Sequence, residues 1–169
     1  IQALAVDLLG TGDSSGEFRD VRLDDWRQDL ALVVDWAARE GAPVAGIVGM
    51  RFGALLALEL AAGLPGPLRI ALWQPLVSGQ LQLTQFLRLR VAGALLTGEG
   101  TESVASLTAD LTAGKVFEVG GYELHPGLAA DLQGPDLRKL APPAGAVVAW
   151  FEVGAGDAPE LSRVATERL

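Results

Sequence analysis

The chain has 169 residues, half of them hydrophobic and 20% charged, which is enough for one globular domain with a real core. Its net charge of −8 repels nucleic-acid phosphates and anionic membrane surfaces, so neither is an expected partner. There is no cysteine and a single histidine, His125, which excludes disulfides and thiol catalysis and leaves almost nothing for a metal centre; no metal and no cofactor are expected.

No apolar run reaches the roughly eighteen residues that span a bilayer, and no signal peptide is visible, so a cytoplasmic location is expected. The chain opens without Met in a strand-like run and stops in what reads as the start of a helix, the pattern of an interior piece of a longer protein.

Ala3 to Leu8 is a short apolar run closed by Asp7 and Gly10, which predicts a buried parallel strand. The loop Gly10-Thr11-Gly12-Asp13-Ser14-Ser15-Gly16 follows. A helix is predicted from Leu23 to Glu40, where Leu23, Trp26, Leu30, Val33, Val34 and Ala37 form one apolar stripe. Asp24 and Asp25 suit its first turn and Arg39 its last, and Gly41 with Pro43 stops it. Val44 to Val48 predicts the next strand. Ala54 to Ala62 predicts a helix apolar nearly all round, hence well buried, ended by Gly63 and Pro65. Leu68 to Trp73 predicts a third strand, stopped by Pro75, and Ala146 to Val153 a fourth.

More than seventy residues separate the third strand from the fourth, so that stretch must hold structure of its own. Leu81 to Leu96 and Thr101 to Thr112 read as helices, Glu118 to Leu124 as β-formers with turn residues, and Pro126 to Leu132 as a last helical turn. Strands alternating with helices predict an α/β fold: a three-layer α/β/α sandwich with a mostly parallel sheet of four strands. The chain reads as one domain over 1–169, with 80–132 as a helical lid insertion. The apolar faces of that insertion equally suit a homodimer or partner surface.

Gly49-Met50-Arg51-Phe52-Gly53 lies between a strand and a helix and has the frame of a nucleophile elbow, G-x-S-x-G, in which a sharp turn presents a Ser hydroxyl at the top of a sheet. Both glycines suit a turn that brings backbone too close for side chains. The Ser position holds Arg51, whose guanidinium stays protonated and has no lone pair to offer. Arg51 would also lie near the positive end of the following helix, unfavourable by roughly 0.3–1 kcal/mol. That asks for a carboxylate, a bound anion or water. Asp7, Asp13, Glu123 and Asp157 are candidate carboxylates.

Gly10, Gly12 and Gly16 invite a dinucleotide-binding reading, but the spacing is one residue too long and no helix opens at once. A tight loop leaving a strand is preferred. Asp157, in Gly154-Ala155-Gly156-Asp157, follows the last strand, where a hydrolase of this topology keeps its triad acid; an Asp in a polar turn explains it equally. His125 reads as a surface or lid residue. Met50, Arg51, Gln74, Gln85 and Arg88 are the candidate ligand-binding residues, although a solvated helix face also accounts for the arginines.

Taken in order, Asp7-Leu8-Leu9-Gly10-Thr11-Gly12-Asp13, the elbow and the later Gly-x-x-Asp resemble the middle of an α/β-hydrolase. Closer resemblance lies in Gly49-Met50-Arg51-Phe52-Gly53-Ala54, Leu72-Trp73-Gln74-Pro75 with Ser78-Gly79, Thr84-Gln85-Phe86-Leu87-Arg88-Leu89-Arg90 and Gly120-Gly121-Tyr122-Glu123-Leu124. These are similar to the second of the exosortase A system-associated hydrolases, bacterial proteins found beside exopolysaccharide and PEP-CTERM protein-sorting genes. The resemblance implies ester or thioester hydrolysis, with Arg51 and Asp157 in the catalytic positions, Asp157 as orienting acid and a His beyond Leu169. With Arg at the elbow, the nucleophile has to be a water or a hydroxyl from another loop. The alternative is a non-catalytic binding protein on the same scaffold, in which Arg51 holds a small anionic ligand through its two-pronged fork.

Overall fold

The computed structural model describes residues 2–98, 100–154 and 162–168. In chain order the helices are α1 (Leu23–Arg39), α2 (Gly53–Ala62), α3 (Gly79–Thr97), α4 (Val104–Thr112), α5 (Pro126–Asp131) and α6 (Arg163–Arg168). The strands are β1 (Gly46–Met50), β2 (Arg69–Trp73), β3 (Phe117–Val119), β4 (Tyr122–Leu124) and β5 (Val147–Phe151). The elements gather into two compact units, one of residues up to Leu30 with Gln82–Gln133, the other of Ala31–Leu81 with the residues from Gly134 on.

The second unit carries a parallel sheet of three strands in the order β1-β2-β5. Its register aligns Ile47 with Ile70 and Val148, Gly49 with Leu72 and Trp150, and Met50 with Trp73 and Phe151. Side chains alternate between faces along a strand, so Ile47, Gly49, Ile70 and Leu72 share one face. α2 lies on that face, and its Ala54, Leu55, Leu56, Ala57, Leu58 and Ala61 are buried, as the all-round apolar pattern leads one to expect. The opposite face, with Val48, Met50, Trp73, Val147 and Phe151, is exposed.

The predicted strand at Ala3–Leu8 does not form. Its backbone makes no ladder, and Leu4 and Val6 are exposed. The chain just beyond the run is held by α1. Asp29 Oδ2 accepts the Leu9 N–H at 2.7 Å, and Trp26 Nε1 donates to the Leu9 carbonyl at 3.1 Å. The end of the run is thus tied to side chains of a helix, and a sheet of three parallel strands stands where four were expected.

In the first unit Val21, Leu23, Trp26, Leu83, Leu87, Leu107, Leu124 and Leu128 are buried. Phe18 lies beside Trp26, Phe86 and Tyr122, with ring centroids 6.1, 6.2 and 5.0 Å away. β3 and β4 pair as an antiparallel hairpin across Gly120-Gly121, both at positive φ, as its turn requires. Arg22 forks onto the Asp131 carboxylate with two hydrogen bonds of 2.7 Å, and Asp131 also accepts the Leu23 N–H that opens α1. Arg90 pairs with Glu102 in the same two-pronged way, donates to the Glu118 carbonyl at 2.8 Å and lies 4.8 Å from the Phe117 ring centre.

The second unit runs to Leu81 and resumes at Gly134, and its own residues meet close to these two boundaries. There the Gly79 N–H donates to the Pro135 carbonyl at 3.0 Å and the Leu137 N–H to the Val77 carbonyl at 2.9 Å, around an antiparallel bridge of Ser78 with Asp136.

Candidate functional site

β1 passes to α2 through two residues, Arg51 and Phe52. Arg51 has φ of +54°, the left-handed region that costs a residue with a Cβ roughly 1–2 kcal/mol. Its peptide is fixed on both sides. The Arg51 N–H donates to the Trp73 carbonyl at 3.0 Å, and the Arg51 carbonyl accepts from Ala54 at 3.2 Å and from Leu76 at 3.1 Å. The turn therefore has the sharp geometry that the G-x-x-x-G frame predicted. Of its two glycines only Gly49 is sterically required. A Cβ on Gly49 would meet the Gly53 carbonyl, Ala54 and Ala57, whereas a Cβ on Gly53 meets nothing within 4 Å.

A second strained residue stands beside the first. Gln74, which follows β2, has φ of +45°. Its N–H donates to the Phe151 carbonyl at 2.7 Å, and its side-chain Nε2 reaches the Val153 carbonyl at 3.4 Å. Arg51 Nη1 makes a long hydrogen bond of 3.5 Å to the Gln74 carbonyl. Two left-handed, non-glycine residues at the carboxyl ends of adjacent parallel strands mark the place where open α/β sheets hold their ligands. The Arg51 side chain is exposed and no side chain caps the start of α2. Two positive features, the guanidinium and the first turn of the helix, thus lie side by side.

Arg51→Gly should raise unfolding stability by about 0.5–1 kcal/mol, because glycine accepts this φ freely and that relief outweighs its larger entropy cost on folding. Arg51→Ala, which keeps a Cβ, should give no such gain. Urea midpoints of the three proteins check this.

Glu152, directly after β5, is a residue the sequence did not single out. Its carboxylate accepts the Trp150 indole N–H at 2.9 Å and both the N–H and the hydroxyl of Ser162 at 2.6 Å. Ser162 in turn accepts the Ala165 N–H, so Glu152 anchors the start of α6. Nothing in the local pattern announces this, since the partner lies ten residues on. Burial pushes the Glu152 carboxyl up, but the Ser162 and Trp150 donors outweigh it and hold it below the ordinary carboxylate range. Asp131 is likewise held low, by the Arg22 fork first and then by the Leu23 N–H. A carboxyl lowered on folding contributes stability above its unfolded pKa of about 4, and that contribution is lost as pH falls through the lower folded value. Thermal midpoints should therefore be flat from about pH 7 to 5 and fall steeply below about pH 4. Glu152→Gln should make that acid limb shallower.

The remaining candidates are distributed as follows. Met50 points to the exposed face of the sheet, one residue before Arg51. Gln85 and Arg88 belong to the other compact unit, on α3, Gln85 half-buried and Arg88 exposed. Asp157 lies outside the described residues. His125 is the N-cap of α5, its Nδ1 accepting the Gly127 N–H at 3.1 Å, which is a structural task. Glu123, one of the carboxylates weighed for Arg51, pairs with Arg19 at 2.9 Å.

The glycine loop has its own anion. Asp7 Oδ2 accepts the Asp13 N–H at 3.0 Å, and the Asp7 carbonyl accepts the Ser14 hydroxyl at 2.9 Å. Gly12 passes so close to the Asp7 carboxylate that a Cβ would overlap it. A loop whose amide already serves a carboxylate is a poor cradle for a phosphate, which favours the tight-loop reading over the nucleotide one. Among the described residues no group of three or more His, Asp or Glu could hold a metal ion, and no helix is long and apolar enough to cross a membrane.

The chain matches no protein-family model, and it matches none of the curated proteins.

Proposed function

We propose that this chain is a cytoplasmic α/β-hydrolase-type protein, akin to those of the exosortase and exopolysaccharide system, whose elbow position holds an anionic ligand instead of attacking an acyl group. A three-layer sandwich with residues 80–132 as a helical lid belongs to the same proposal. The observation that carries it is Arg51 at φ +54° between β1 and the uncapped start of α2. A guanidinium is no nucleophile, but it pairs two oxygens of a carboxylate or phosphate at once. Placed beside a helix start, it concentrates positive potential at one point of an otherwise acidic chain. Gln74, with a side-chain amide at the same strand ends, supplies a neutral partner for the ligand. Ester or thioester hydrolysis is the second reading, favoured by the same strained turn, which in a working enzyme would carry the nucleophile.

The test is a panel of short- and medium-chain esters and thioesters, offered to the wild type, Arg51→Ala and Arg51→Ser, alongside thermal-shift titrations with carboxylates and phosphates. Wild type should show no turnover and an anion-dependent shift that Arg51→Ala loses, and Arg51→Ser should gain turnover. Robust wild-type turnover abolished by Arg51→Ala would overturn the binding reading and make Arg51 an electrostatic group of a working hydrolase.

A further inference from the structure

The Gln74 side-chain amide has a fixed sense. Its backbone N–H donates to the Phe151 carbonyl at 2.7 Å, and its Nε2 donates to the Val153 carbonyl at 3.4 Å, so both ends of the residue are tied to the end of β5. A backbone carbonyl can only accept, which requires the amino end of the amide to face Val153. The oxygen, Oε1, is then turned away from Val153, and within the second unit no described group donates to it. Arg51 Nη1 meets the backbone carbonyl of the same Gln74 at 3.5 Å. A guanidinium and an amide oxygen thus stand together at the carboxyl ends of β1 and β2, where open α/β sheets hold ligands. The guanidinium has five N–H donors and no acceptor, so one neighbour does not exhaust it.

The two groups ask opposite things of a ligand. A plain carboxylate offers only lone pairs, which suit Arg51 but set oxygen against oxygen at Gln74. An acid with an O–H close to its anionic group satisfies both. We infer that the ligand of this site is a small hydroxy acid, its anionic group on Arg51 and its hydroxyl donating to Gln74 Oε1. The inference rests on Arg51 holding an anion and adds what stands beside that anion. Gln74 is the specificity residue, because an amide oxygen left facing lone pairs disfavours the ligand that lacks the hydroxyl.

Isothermal titration calorimetry with matched pairs decides it: lactate against propionate, and hydroxyethyl phosphate against ethyl phosphate. Wild type should bind one hydroxy acid about 3- to 10-fold more tightly than its partner without the hydroxyl, the range that a single hydrogen bond supplies. The pair that shows the preference tells a carboxylate ligand from a phosphate one. Gln74→Met removes the oxygen, and Gln74→Asn draws it back while accepting a left-handed φ more readily. Each should bring that ratio close to one, and the second guards against a first that merely fails to fold. Arg51→Ala should weaken both members of the pair. Equal binding of both members by wild type, with Arg51→Ala weakening both, overturns this inference and leaves the anion reading standing. A preference that survives both Gln74 variants overturns it too. If no member binds, or Arg51→Ala changes nothing, the anion reading falls and this inference with it.

Discussion

Gly49→Ala is expected to lower unfolding stability by about 3 kcal/mol, at the upper end of what overpacking costs. A Cβ there would lie 2.5 Å from the Gly53 carbonyl oxygen, 2.6 Å from the Ala54 Cα and 2.8 Å from the Ala57 Cβ. None of these atoms can swing aside by a rotamer change, so relief requires α2 to move off the sheet. In a chain of this length such a loss corresponds to a fall in Tm of about 6–12 °C. Gly53→Ala is the matched control. Nothing lies within 4 Å of its Cβ, and alanine is the better helix former by up to about 1 kcal/mol, so its Tm should stay level or rise slightly. Calorimetry of the two variants separates a helix that must approach β1 closely from a turn that merely tolerates glycine. Equal losses in both would mean that the frame matters as a turn and not as a contact.

The second large effect is expected at Arg90, far along the chain from the elbow. One guanidinium there joins α3 to Glu102 ahead of α4 and to the Glu118 carbonyl of β3, and stacks over Phe117. Both charged side chains of the pair are about two-thirds covered, with exposures of 29% and 33%. Arg90→Ala removes a forked ion pair and a cation–π contact, and strands a partly covered carboxylate, at a cost of about 2–3 kcal/mol. Glu102→Gln keeps a hydrogen-bond acceptor and should cost about half as much. Hydrogen exchange should show the loss first in the amides of β3 and β4. Loss spread evenly over the whole chain would argue against a local tie. Glu102 is also held low by the Arg90 hydrogen bonds, so this contribution disappears in acid along with those of Asp131 and Glu152.

What the sequence disclosed and what it hid divide along the range of the interactions. The runs that became β1, β2 and β5 were legible because each is apolar and bounded by glycine or proline, and α2 because nearly every position in it is apolar. The run at Ala3–Leu8 has the same local signature, yet the N–H and carbonyl of Leu9 at its end are claimed by Asp29 and Trp26. No periodicity reports a partner seventeen or twenty residues away. The elbow was legible from its glycine frame, although the frame suggested that both glycines were needed and only Gly49 is. Its second strained member, Gln74, could be listed as a polar residue but not recognised as left-handed, since a residue before proline is ordinarily extended. Neither Glu152 nor Arg90 could be weighed from the sequence, because the worth of a charged side chain lies in partners that only the fold brings to it.

The closure at Ser78 and Asp136 has a consequence for how such a chain can change. Two hydrogen bonds, from Gly79 to Pro135 and from Leu137 to Val77, bring the ends of the intervening segment together. A segment whose ends already meet can be exchanged for a longer or shorter one at little entropic cost, because closing the loop depends only weakly on its length. The three-stranded ladder and the Arg51 turn are built entirely from residues outside that segment. Changes of length between Gly79 and Pro135 should accordingly leave the ladder intact, provided that Phe86, Tyr122 and Asp131 keep their contacts with Phe18 and Arg22.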